Sequence, residues 1–112
     1  MRLITELERQ LAGEESLFQA QLLREDLARL RRLQDLKRET ADEDAFVKAG
    51  SRIGWTPGDA RTEELREPLD AFLRAAFAGD EERMAPAWAE LHRLRLERLL
   101  GCLSTPVPRP ED

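Results

Sequence analysis

The sequence predicts an all-α protein: a small helical bundle with a long N-terminal helix and a C-terminal antiparallel helical hairpin. Among 112 residues, Ile and Val occur only as Ile4, Val47, Ile53 and Val107. Leu, Ala, Arg and Glu dominate instead; a helix accommodates these with little rotamer loss, whereas β-branched and aromatic types favour strands. Leucines also recur at the three- and four-residue spacing of a helix face. At this length there is room for one domain, read here as residues 1–103 followed by a Pro-rich extended tail over 104–112.

The first helical signal opens near Thr5, where Thr5 and Glu8 have capping-box spacing and Ile4 stands in a staple position. Ile4, Leu7, Leu11, Phe18 and Leu22 hold one face straight through Gly13, and an interior Gly costs only about 1 kcal/mol relative to Ala. A second stripe, Ala20, Leu23, Leu27, Leu30 and Leu33, adjoins it. Residues 3 to 39 therefore read as one long helix, or two nearly collinear ones, with an apolar arc wider than one helix partner covers.

Thr40 can cap a short second helix, with Glu43 three residues on and Asp42 and Asp44 loading its first turn with charge that suits the dipole. That helix shows Phe46 and Val47 to the core and ends at Gly50, read as a left-handed cap. Ile53 and Trp55 then plug the end of the bundle. Thr56-Pro57-Gly58-Asp59 restarts a helix. Leu65, Leu69, Phe72, Leu73, Ala76 and Phe77 form its stripe, and Pro68 predicts a break near Arg66-Glu67, leaving Pro68–Ala78 packed. Gly79-Asp80 makes a turn with Asp80 as the next cap. The last helix carries Met84, Trp88, Leu91, Leu99 and Leu103 on one face, with Pro86 delaying its regular part. Phe72 and Trp88 are expected to touch across this hairpin.

The chemistry-bearing side chains are scarce: one His, one Cys, no Tyr and no Asn. Gly-x-Gly-x-x-Gly, Ser-x-x-Lys and nucleophile-elbow patterns are absent. No enzymatic activity, catalytic residue, cofactor or metal is expected. His92 has no His or Cys companion at ligand spacing except Cys102, and both read as packed core residues, His92 hydrogen-bonded. The acids Asp42, Glu43 and Asp44 read as caps. A net charge of -5 disfavours a nucleic-acid partner, because phosphate binding needs clustered Lys and Arg. The basic run Arg29, Arg31, Arg32, Lys37, Arg38 scatters around its helix and reads as a solvated face. No apolar run approaches the roughly 20 residues that span a bilayer, no signal-peptide core follows Met1, and Cys102 has no disulfide partner. A cytoplasmic, bacterial protein is expected, the excess of Arg over Lys reading as genomic bias.

Arg95 is the oddity. Helical phase places it within the apolar stripe of Trp88, Leu91 and Leu99, where a guanidinium must pair with an acid, follow the apolar face to water, or meet a partner chain. The expected function is therefore that of a non-enzymatic regulator or adaptor, such as an inhibitor of a larger protein, acting by helix-mediated protein binding. Phe18, Leu22, Leu23, Leu27, Leu30, Trp88 and Arg95 are the candidate interface, and the paired stripes predict a homodimer. Gly79-Asp80 followed by leucines at helical spacing resembles the hairpin of small flagellar and type III export chaperones, which implies a chaperone role as the alternative. A DNA-associated regulator is the further alternative.

Overall fold

In the computed structural model, which describes residues 1–55 and 65–103 with side chains as far as Glu97, the long N-terminal run divides at Gly13. Helix α1 spans Arg2–Ala12 and α2 spans Leu17–Glu39. Arg31 of α2 reaches Glu8 of α1 at 2.9 Å although 23 residues separate them. A straight helix would hold those positions about 34 Å apart. The two segments therefore fold back on one another as a hairpin, which corrects the continuous or collinear reading. The turn has its own local causes. Gly13 ends α1, and the Ser16 hydroxyl caps α2 by accepting from the Gln19 N–H at 3.3 Å. Ser16 and Gln19 have the capping-box spacing themselves, and this local signal outweighs the continuity of the leucine phase.

The fold-back changes the meaning of the two stripes. Ile4 and Leu7 on α1 and Ala20, Leu23, Leu27, Leu30 and Leu33 on α2 are all buried within the one chain. The wide apolar arc that predicts a homodimer is thereby largely covered by the chain itself. α1 begins at Arg2, whose backbone N–H donates to Glu81 at 3.2 Å, so Thr5 is an exposed interior residue and caps nothing.

Helix α3 spans Glu43–Gly50. Its cap is Asp42, which accepts from the Ala45 N–H at 2.8 Å. Thr40 faces the other way and closes α2, its hydroxyl donating to the Leu36 carbonyl at 2.7 Å. Gly50 is the last residue of α3 and lacks the left-handed conformation expected of it; the helix is followed by Ser51 in right-handed geometry. The space around Gly50 explains its identity. A β-carbon there would lie 2.9 Å from a Leu73 methyl and 3.1 Å from a Leu33 methyl. α3 thus reaches α2 and α4 at a point where any larger residue would have to push two leucine methyls aside.

Helix α4 spans Arg66–Ala78 and α5 spans Glu81–Leu103. Pro68 falls in the first turn of α4, where its missing N–H would have no helical partner in any case. The helix begins at Arg66, at the expected break, and continues through Pro68. The restart expected at Thr56–Asp59 lies outside the described residues, as do the 104–112 tail and the Cys102 and Leu99 side chains. Gly79 is left-handed at φ 70°, and Asp80 caps α5 through the Arg83 N–H at 3.1 Å. α5 runs from Glu81 through Pro86 without delay. α4 and α5 form the expected hairpin, with Phe72 and Trp88 in contact at 5.3 Å between ring centroids. The core joins both hairpins through α3: Leu30, Leu33, Phe46, Leu65, Phe72, Leu73 and Leu91 are fully buried. Phe46 packs on Phe77 with centroids 5.3 Å apart. The described residues form an all-helical bundle, and no helix among them is long and apolar enough to cross a membrane.

Candidate functional site

Arg95 finds its acid inside the chain. Asp26 stands on the core stripe of α2, three residues after Leu23 and four before Leu30, and is 2 % exposed. Its Oδ1 accepts from Arg95 Nη2 at 2.7 Å and from Arg29 Nη1 at 2.8 Å. Both guanidiniums also donate to the connector after α3, Arg29 to the Gly54 carbonyl at 2.8 Å and Arg95 to the Trp55 carbonyl. One carboxylate and two guanidiniums therefore clip α2, the connector and α5 together. The Arg95 guanidinium carbon lies 5.8 Å from the ring centroids of both Trp55 and Trp88, close enough for cation–π attraction on two sides. Trp55 is held in turn by donating its indole N–H to the Gly50 carbonyl at 2.7 Å.

His92 completes this layer. Its ring stacks on Trp88 with centroids 5.8 Å apart, and its Nδ1 lies 3.8 Å from the Asp26 carboxylate, too far for a hydrogen bond. Burial lowers its pKa below the usual imidazole value, the Asp26 charge opposes this, and Arg95 adds to the lowering. The net direction favours the neutral imidazole. His92, expected as a hydrogen-bonded core residue, stacks on Trp88 at the edge of the core with its side chain 38 % exposed, and its Nδ1 has no hydrogen-bond partner among the described residues. Around it, Leu22, Glu25, Arg29, Arg95 and Leu96 border a pocket of about 80 Å³ between α2 and α5.

The other polar clusters of the sequence are occupied structurally. Arg74 of α4 pairs with Asp70 at 2.8 Å, Glu43 at 3.0 Å and Asp44 at 3.5 Å. The first-turn acids of α3 thus serve as an anchor for α4 as well as dipole partners. In the basic run, Arg31, Arg32 and Arg38 each pair with an acid of the chain, Glu8, Glu39 and Asp35.

The sequence-derived interface residues separate into three groups. Leu23, Leu27, Leu30 and Trp88 are core, at most 9 % exposed, so in the folded chain they have no surface to offer a partner. Arg95 is 11 % exposed at its side chain and satisfied mainly by Asp26. Phe18 and Leu22 remain at the surface, Phe18 44 % exposed and Leu22 half-buried. Leu17, which the periodicity did not single out, is 86 % exposed. Leu17 and Phe18 are the exposed large apolar residues among those described, and they sit together at the tip of the first hairpin, beside exposed Glu14 and Glu15. Asp26 is the functional-looking residue that sequence reasoning missed. Its signal was present: an acid on an apolar stripe is the complement of a guanidinium on another.

An all-α bundle of two hairpins, clipped by a buried ion cluster and carrying one apolar tip, is the class that fold and site define. Over 81 % of its length the chain is similar, at 38 % identity, to peptide chain release factor 2 of Frankia casuarinae. It spans only a quarter of that protein, 25 % of its length. No family model matches the chain, and no solved structure matches it.

Proposed function

We propose that this chain is a non-enzymatic binding module that presents the tip of its first hairpin to another protein. The observation that carries this reading is the exposure of Leu17 and Phe18, 86 % and 44 %, where the leucine stripes of the described residues are otherwise largely covered. Apolar side chains grouped at a rigid corner make a compact anchor, and aromatic anchors are typical of interface hot spots. Glu14 and Glu15 flank them, so the partner is expected to offer an apolar depression bordered by Lys or Arg. The similarity to part of a peptide chain release factor supports placing that partner in peptide-chain release. Regulation by occupying such a surface fits the adaptor role expected from the sequence.

The test is a double substitution, Leu17→Ser with Phe18→Ser. Both side chains are outside the core, so circular dichroism and the thermal midpoint should hardly change. Capture from a translating extract of the native host should retain one dominant partner with the wild type and lose it with the variant. Retention of the same partner by a folded variant refutes the tip as the binding surface. A partner unconnected with peptide-chain release removes that part of the reading and leaves the binding module.

A further inference from the structure

The tip and the pocket between α2 and α5 are parts of one surface. Leu22 lines the pocket and lies one helical turn beyond Phe18, so the two residues share a face of α2. The charges around the pocket cancel. Two carboxylates, Glu25 and Asp26, stand against two guanidiniums, Arg29 and Arg95. Both guanidiniums are engaged by Asp26 and by the Gly54 and Trp55 carbonyls. Arg95 Nη1 and His92 Nδ1 make no hydrogen bond among the described residues, but both atoms are buried and show nothing to a ligand. What the opening offers is the pair of half-buried leucines, Leu22 and Leu96. The tip has the opposite character. From Gln10 to Leu23 the sequence contains no Lys or Arg. Exposed Glu14 accepts from the Ser16 N–H at 3.0 Å, and neither it nor exposed Glu15 meets a cation among the described residues. The surface is therefore acidic at the tip and apolar, without net charge, at the pocket.

We infer that this surface docks a basic amphipathic helix of another protein, an inference that rests on the tip being the binding surface proposed above. The helix lies along the groove between α2 and α5. One aliphatic side chain enters the pocket between Leu22 and Leu96, and the hollow a turn away on the same helix receives Phe18. Lys or Arg residues a further turn on meet Glu14 and Glu15, which fixes the register. Size restricts the inserted side chain. The pocket holds about 80 Å³, against the ~150 Å³ of an apolar cavity that takes up benzene. Leucine, isoleucine or methionine fits, and an aromatic ring does not.

The probe is an alanine-based helical peptide without tryptophan, carrying one leucine for the pocket and a pair of lysines beyond the hollow, made with the lysines on either side of the leucine. Trp88 stacks on His92, which lines the pocket, so its indole NMR signal reports docking on the full chain. One of the two peptides should bind saturably, at least about tenfold more tightly than its counterpart with glutamates in place of the lysines. Exchanging its leucine for alanine should weaken binding about tenfold, and exchanging it for phenylalanine should weaken it as well. Glu14→Lys with Glu15→Lys, both at exposed positions, should reverse the preference between lysine and glutamate peptides. Leu96→Glu, checked for folding by circular dichroism, should lose the lysine peptide. No saturable binding by either lysine peptide, equal binding of lysine and glutamate peptides, or an unchanged preference in the charge-reversed variant overturns the inference. Binding lost in Leu17→Ser, Phe18→Ser but indifferent to Leu96→Glu and to the peptide's leucine overturns the seated helix and leaves the tip as binding surface. Binding lost in Leu96→Glu but kept in Leu17→Ser, Phe18→Ser refutes the tip, and this inference with it.

Discussion

Asp26 shows how much one side chain can carry in a bundle of this size. It is nearly inaccessible and accepts from guanidiniums on two helices. Asp26→Ala leaves both cations without their acid, and breaking a buried pair in this way costs about 3–5 kcal/mol. Arg95→Leu leaves Asp26 paired with Arg29 and adds apolar contact to Trp55 and Trp88. Its cost should be clearly smaller, and urea titration of the two variants checks the order. His92 adds a pH dependence of known sign. Burial, its largest influence, holds the folded-state pKa below the usual imidazole value of 6.5. The unfolded chain therefore takes up the proton first as pH falls. The contribution of His92 is complete above about 6.5 and is lost as pH falls through the folded-state value. The urea midpoint should drop between about pH 7.5 and pH 5.5, and His92→Phe should flatten that part of the curve. An equal drop in wild type and variant assigns the effect to other groups.

Among the described helices, α3 is the shortest and depends on its neighbours. It runs for 8 residues, too few to be stable alone in water, and it is held by Phe46 in the core and Arg74 on its first-turn acids. Gly50 lets it approach. Alanine improves helix propensity by about 1 kcal/mol, yet the added methyl meets two leucines that are at most 1 % exposed. Overpacking of a closed core costs about 1–3 kcal/mol, so Gly50→Ala should be destabilising by about 1 kcal/mol net. Thermal melting decides the sign, and a stabilised variant means that Leu33 and Leu73 can move aside. The first hairpin illustrates the opposite balance, where local signals prevailed. Leucine phase ran unbroken past Gly13, but Ser16 and Gln19 supplied a new helix start within four residues.

At the scale of the whole molecule, the fold-back of α1 on α2 leaves little exposed apolar surface beyond the tip among the residues whose side chains are described. A homodimer, which the sequence suggested through its paired stripes, has Leu17 and Phe18 as its exposed large apolar contacts among the described residues. Specific interfaces usually bury about 800 Å² per partner, so pairing through this tip is expected to be weak and dependent on concentration. Light scattering should show a mass rising above 12.9 kDa at high concentration, and the Leu17→Ser, Phe18→Ser variant should stay at that value. A wild-type mass constant over the whole range removes the dimer. The all-helical class, the α4–α5 hairpin, the Asp80 cap and the contact of Phe72 with Trp88 were legible because each rests on local periodicity or a capping side chain. The same local rules singled out Arg95 as needing an acid. They left open where that acid lies, because Asp26 is 69 residues away in sequence. They also misassigned Thr40 and Gly50, whose roles depend on which helix each closes and which helices crowd it. The stripes of α1 and α2 carry the same message whether they face each other or a second chain. Hydrophobic spacing alone determines that a face is buried; only the tertiary structure decided against what, since burial has no preferred direction and is satisfied by whichever apolar surface the turn at Gly13 brings to it.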